Sequence, residues 1–133
     1  AGVAIMTNAP GNRPFPPILR LREAGVRVFA GNDNIRDAWW PYGNGDMLQR
    51  AMLIGYRSGF YTDDELLVAL DLATTEPARV LGLEPYGIRI GAPADFVVLP
   101  EPCAAAAVAS ACARRRIVRG GHWWAPEKTP QAP

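Results

Sequence analysis

The sequence predicts an α/β fold, and three features carry that expectation. A strand–helix–strand unit fills residues 3–30, amphipathic helices follow to residue 82, and a hairpin closes the chain. At 133 residues the chain is long enough for one domain with a core, and its 49% hydrophobic and 20% charged residues are those of a globular protein.

Val3 to Thr7 reads as a short buried strand, because its apolar residues are continuous rather than alternating. Ile18, Leu19 and Leu21, followed by Arg22-Glu23-Ala24, form a short helix that Gly25 stops. Val26 to Ala30 is the second strand. Two strands joined by a helix in this space are parallel neighbours of an α/β sheet or barrel.

Asp46 caps a helix to about Ser58, with Met47, Leu48, Ala51, Ile54 and Gly55 on one face and Gly59 as its stop. Thr62-Asp63-Asp64-Glu65 is a capping box, and Leu66, Leu67, Leu70 and Ala73 give its helix an apolar stripe. Thr74 or Thr75 caps a further short helix, with Pro77 in its first turn and Gly82 at its end. From Tyr86 the chain turns repeatedly before a strand expected to be buried, Phe96 to Leu99. Cys103 to Ala113 is alanine-rich and helical by propensity. Gly120-Gly121 between Ile117–Arg119 and His122–Trp124 is a two-residue hairpin signal.

Charge and composition narrow the function. A formal charge of +1 draws the chain neither to nucleic acid nor to an anionic membrane. Arg114-Arg115-Arg116 reads as a solvated strand edge that discourages aggregation. No signal peptide and no apolar run of bilayer length stand in the sequence, so the expected location is cytoplasmic by default. Cys103 and Cys112, if on one helix, fall on opposite faces and are expected to be free thiols. Ala1-Gly2 leads straight into a strand without an initiator methionine, as if the chain opened in the middle of a fold.

The densest chemistry lies between the second strand and the next helix. Residues 31–46 hold three acids, three amides, an arginine, two tryptophans and three glycines. Long ordered loops of this kind are more often functional than not. Asp33 is its centre, a carboxylate at a strand exit, although Asn-Asp-Asn is also ordinary turn chemistry. Arg36 and Asp37 are expected to pair with each other or with backbone. Asn44 and Asp46 read as turn and cap. Of Trp39 and Trp40, one suits packing and one could stack on a flat ring.

Ala73 to Leu83, followed by Tyr86 to Leu99, closely resembles the C-terminal signature of the amidohydrolase superfamily, and Ile117 to Gly121 resembles its last hairpin. The Asp33 to Met47 segment is similar to the cytosine deaminase branch, and nearer still to aminohydrolases of N-alkylated triazine rings. The resemblance implies the last strands and helices of a (β/α)8 barrel over residues 1–84, part of a small β-sandwich over 85–125, and a flexible tail over 126–133. It implies hydrolytic removal of an amino or alkylamino group from a nitrogen heterocycle by the intact enzyme, with one divalent ion, zinc or iron.

Carried over residue by residue, Asp33 is the metal-binding and proton-shuttling aspartate at the end of the eighth barrel strand. Asn34 and Trp39 are substrate-binding, Asn34 standing where cytosine deaminases have aspartate. Asn32 replaces a histidine common in the family. The family's other histidines and its catalytic glutamate are expected upstream of Ala1, since an intact barrel takes about 250 residues. By this reading the chain alone binds no metal, and its partners are the substrate, the N-terminal part of the barrel and further copies in a homo-oligomer. The competing expectations are an inactive fragment and a small interaction module presenting Trp123 and Trp124.

Overall fold

The computed structural model describes residues 2–9, 11 and 13–124. The expected tail at 126–133 lies outside the described residues. Strand β1 (Ile5–Thr7) is followed by helix α1 (Ile18–Glu23) and strand β2 (Val28–Ala30). The two strands pair in parallel with Ile5 opposite Val28 and Thr7 opposite Ala30, as the strand–helix–strand reading requires. Val28 and Ala30 are buried on one side, but Val3 and Met6 are exposed, so the first run is not the buried strand its composition suggested. Two strands leave the outer edge and far face of β1 uncovered among the described residues.

Three helices pack over the strands: α2 (Met47–Ser58), α3 (Asp63–Ala73) and α4 (Thr75–Val80). Helix α2 begins at Asp46, whose carboxylate accepts from the N–H groups of Leu48 and Gln49, and it ends at Gly59 in the left-handed conformation. The capping box of α3 is present in full, Thr62 accepting from Glu65 N–H and Glu65 from the Thr62 backbone. Its buried residues are Ala69 and Leu72, whereas Leu67 points to solvent. Leu66, Leu70 and Ala73 of the expected stripe do pack half-buried against the core, and the covered face is wider than that stripe because α3 is held by two helices, α2 and a later one. Thr74 precedes α4 but does not cap it, since its hydroxyl donates instead to the Leu70 carbonyl at 2.8 Å.

Strand β3 (Phe96–Val98), helix α5 (Ala104–Ser110), β4 (Arg116–Arg119) and β5 (His122–Trp124) complete the described chain. The strands form one antiparallel sheet in the order β3-β4-β5, turned at Gly120-Gly121 with both glycines at positive φ. Phe96, Val97 and Val98 are 40%, 52% and 42% exposed, against the expectation of a buried strand. The residues are apolar enough for a core, but no second layer covers them among the described residues.

Helix α5 is shorter than the alanine-rich run and ends at Ala111 in the left-handed region, which leaves Cys112 beyond it. Cys103 is its cap and both thiols are free. Val108 of α5 is fully buried in the same core as Ile54 of α2, Leu72 of α3 and Val28 of β2. Burial of each such aliphatic side chain is worth about 1.5–3 kcal/mol, so α5, which lies between β3 and β4 in the chain, is anchored in the helical layer. No helix among the described residues is long and apolar enough to cross a membrane.

Candidate active site at the strand ends

Because β1 and β2 run in parallel, both open at their C-terminal ends on the same side. Their last ladder bond is Gly31 N–H to the Thr7 carbonyl, at 3.1 Å. Glycine suits this point, since a Cβ on residue 31 would lie 3.0 Å from the Met6 sulfur. Beyond it the strands diverge into Asn8 on one side and Asn32-Asp33-Asn34 on the other.

Arg50, from the second turn of α2, ties these two ends together. Its Nε donates to Asn32 Oδ1 at 2.9 Å, and its guanidinium donates to the Asn8 carbonyl. Burial pushes the Arg50 pKa down, and no carboxylate pairs with it among the described residues. The other end of the Asn32 amide donates to the Gly45 carbonyl at 3.0 Å and to the Met47 sulfur. Residue 32 therefore closes the base of the long loop, holding its first and last residues together. The sequence offers one signal for this clamp, an arginine near the start of an amphipathic helix that follows an amide-rich loop. That signal is too common to read alone.

Within the loop Ile35 packs beneath Gly43 and Gly45, and Arg36 N–H reaches the Tyr42 carbonyl at 3.3 Å. Asp37 does not pair with Arg36. Its Oδ1 accepts from the N–H groups of Trp39 and Trp40, both at 2.9 Å, and its Oδ2 accepts from Asn34 Nδ2 at 2.7 Å. Those bonds, the Asn34 one foremost, hold the Asp37 carboxyl below the usual carboxylate range.

The three residues singled out by sequence are placed differently from one another. Asp33 is exposed, with no hydrogen bond or ion pair to its carboxylate among the described residues. Asn34 is half-buried in the left-handed conformation (φ 53°), which asparagine adopts more readily than other side chains. Trp39 is 81% exposed, while Trp40 is half-buried and meets Tyr42 edge to face at 5.6 Å, so Trp40 is the packing tryptophan of the pair. Asp37 brings Asn34 and Trp39 to a common anchor; Asp33 stands apart with its carboxylate free.

Asp46 is more than the expected cap. Arg115 grips it with two bonds, at 2.9 and 2.6 Å, and also donates to the Cys112 carbonyl at 2.8 Å. The guanidinium beside Asp46 holds its carboxyl below the usual range. The expected solvated arginine edge is thus corrected: Arg115 crosses to α2, and Arg116 lies 3.8 Å over the Trp123 ring. The alternation of a strand start sends neighbouring arginines in different directions, which a run of three identical letters conceals.

Among the described residues no group of three or more His, Cys, Asp or Glu side chains could hold a metal ion. His122, on β5, stands opposite Arg119 in the hairpin. Asp33 is a single donor, where a catalytic centre takes about three protein ligands. The donor set among the described residues does not by itself fit an ion.

Comparison with known proteins shows what the chain is similar to. The sequence model described as the amidohydrolase family matches residues 1–121. The chain is 37% identical over 122 residues to N-isopropylammelide isopropyl amidohydrolase of Pseudomonas sp. (strain ADP), covering 91% of this chain and 30% of that protein. The crystal structure of N-isopropylammelide isopropylaminohydrolase from Burkholderia multivorans superposes with a TM-score of 0.86 at 47% identity, over 92% of this chain and 31% of that one. That of 5-methylcytosine deaminase from Klebsiella pneumoniae, liganded with phosphonocytosine, gives 0.72 at 30% identity, over 88% and 29%. The chain thus spans about 30% of the length of the proteins it matches.

Proposed function

We propose, since the chain belongs to the amidohydrolase family, that it forms the C-terminal segment of an enzyme that hydrolytically removes an amino or alkylamino group from a nitrogen heterocycle. Residues 1–84 then supply the end of the barrel and 85–125 part of the β-sandwich. The observation that carries the reading is the free carboxylate of Asp33 at a strand end, beside a half-buried amide whose oxygen is unused. Barrel active sites sit on that face. The relatives support the reaction class, because their names describe hydrolases and deaminases acting on amino groups of heterocycles.

In this reading Asp33 takes the proton of the attacking water as a C–O bond forms at the ring carbon. It then passes that proton to the departing nitrogen as the C–N bond breaks, leaving an oxo ring and a free amine. Asn34 meets the ring edge without imposing charge, and Trp39 lies against the ring face. A divalent ion, zinc or iron, would lower the pKa of water at the site to about 7. Its remaining ligands belong to the part of the barrel outside this chain, so the 133 residues alone are expected to be silent.

The test is direct. The full-length protein should release isopropylamine from N-isopropylammelide, lose that activity on dialysis against a chelator, and recover it with zinc or ferrous iron. Absence of amine release from N-isopropylammelide and from cytosine would refute the reading. Asn34→Asp should move the ratio of rates towards cytosine by about tenfold or more, because a carboxylate favours a protonated ring over a neutral one. An unchanged ratio would remove Asn34 from recognition.

A further inference from the structure

The Asp37 carboxylate bonds to both residues assigned to the ring, the side chain of Asn34 and the backbone of Trp39. Its two oxygens divide the work: Oδ1 takes the N–H groups of Trp39 and Trp40, and Oδ2 takes only the Asn34 amide among the described residues. An ionised carboxylate accepts and never donates, so the amide of Asn34 must face it with nitrogen. That settles which end of Asn34 is turned outward. No donor among the described residues reaches its Oδ1. The left-handed backbone at residue 34 fixes the direction of Cα–Cβ, and Asp37 fixes the rotation of the amide that follows.

We infer that Asp37 is a positioning residue that sets the polarity of Asn34, so that the ring edge meeting Asn34 carries an N–H donor. This rests on the assignment of Asn34 to the ring. A lactam edge, in which a ring N–H flanks an oxo carbon, satisfies the outward oxygen. A ring whose nitrogen at that edge bears only a lone pair sets acceptor against acceptor and is disfavoured. Asp37 thereby selects among neutral heterocycles by hydrogen-bond polarity rather than by charge.

The division between the oxygens makes the idea separable from a structural role. Asp37→Asn keeps an acceptor for the Trp39 and Trp40 N–H groups but turns an NH₂ towards Asn34, which must then flip and present its own NH₂ to the ring. The full-length protein is assayed with two substrates, N-isopropylammelide, whose ring has lactam N–H groups, and its O-methylated form, whose ring nitrogens carry no hydrogen. Asp37→Asn should lower the ratio of kcat/KM, lactam over O-methyl, by about 10- to 100-fold with the melting temperature held. Asp37→Ser, which keeps a hydroxyl acceptor for the loop N–H groups and loses the oxygen facing Asn34, should bring the ratio towards unity and serves if the first variant folds poorly.

In an Asn34→Ala background Asp37→Asn should leave the ratio where Asn34→Ala has put it. Two outcomes overturn the inference while sparing the assignment of Asn34: a ratio that responds to Asn34→Ala but not to Asp37→Asn or Asp37→Ser, and a ratio that responds to Asp37→Asn equally when Asn34 is absent. If Asn34→Ala itself leaves the ratio unchanged, the assignment of Asn34 to the ring fails and the inference falls with it.

Discussion

Asp33→Asn is expected to lower kcat of the full-length protein by about 10²- to 10⁴-fold, the range that a positioned proton-transfer group contributes, and to leave its thermal stability in place. The two halves of this expectation come from one observation. The Asp33 carboxylate is exposed and engages no partner among the described residues, so removing its charge breaks no contact that holds the loop. Such a substitution shifts stability by no more than about 0.5 kcal/mol. Asparagine keeps the shape and removes the ability to take a proton. Steady-state kinetics with N-isopropylammelide and a thermal melt check both halves. A kcat within about tenfold of the parent would take Asp33 out of proton transfer, and a large drop in melting temperature would make it a structural turn residue.

Asp46→Ala is expected to cost about 3 kcal/mol of stability, combining a lost helix cap of about 1 kcal/mol with about 2 kcal/mol for hydrogen bonds to a charged partner. The side chains of Arg115 and Asp46 are 24% and 16% exposed, so the ion pair is shielded from solvent more than a surface pair is. Truncation at 46 removes the cap from Leu48 and Gln49 and leaves Arg115, among the described residues, with only the Cys112 carbonyl. Urea denaturation of the full-length protein gives the loss, and Arg115→Met in a double-mutant cycle gives the share that belongs to the pair. A loss near 1 kcal/mol in Asp46→Ala with no coupling would reduce Asp46 to a plain cap.

The same pair predicts a pH dependence. The Asp46 carboxyl is held below its ordinary range, chiefly by the Arg115 bonds. Its contribution is therefore complete above the unfolded value of about 3.9 and is lost as pH falls through the lower folded value. The difference in stability between the parent and Asp46→Ala should be flat from neutral pH down to about 5 and shrink below about 4. Taking the difference removes the parallel contributions of Asp37 and Glu65, whose carboxyls are also lowered.

Much of the fold could be read from local chemistry. The helix from Asp46 to Gly59, the capping box at Thr62 and the Gly120-Gly121 hairpin all formed where their residues called for them. In each case one or two side chains satisfy backbone groups within a few positions, and a sequence displays such partners side by side. Burial was harder to read. Val3 and the whole of β3 look like core and are exposed, and Leu67 of the expected α3 stripe faces solvent while Ala69 and Leu72 are fully covered. An apolar residue records a tendency to be covered, not what covers it.

The candidate site divides in the same way. Asp33, Asn34 and Trp39 stand out as candidates in the sequence because the loop that carries them is dense in chemistry and resembles that of the amidohydrolases. The residues that hold it do not. Arg50 binds Asn8 and Asn32, 42 and 18 positions away, and Arg115 binds Asp46 across 69. The sequence by itself determined the capped helices, the parallel strand pair and the place of Asp33 just past a strand, because each depends on local patterns along the chain. Only the tertiary structure decided that α5 packs into the helical core, that Arg50 and Asn32 close the loop, and that Asp37 accepts from the amide of Asn34. Those outcomes depend on the direction of side chains and on which distant groups meet them, and the order of residues alone carries neither.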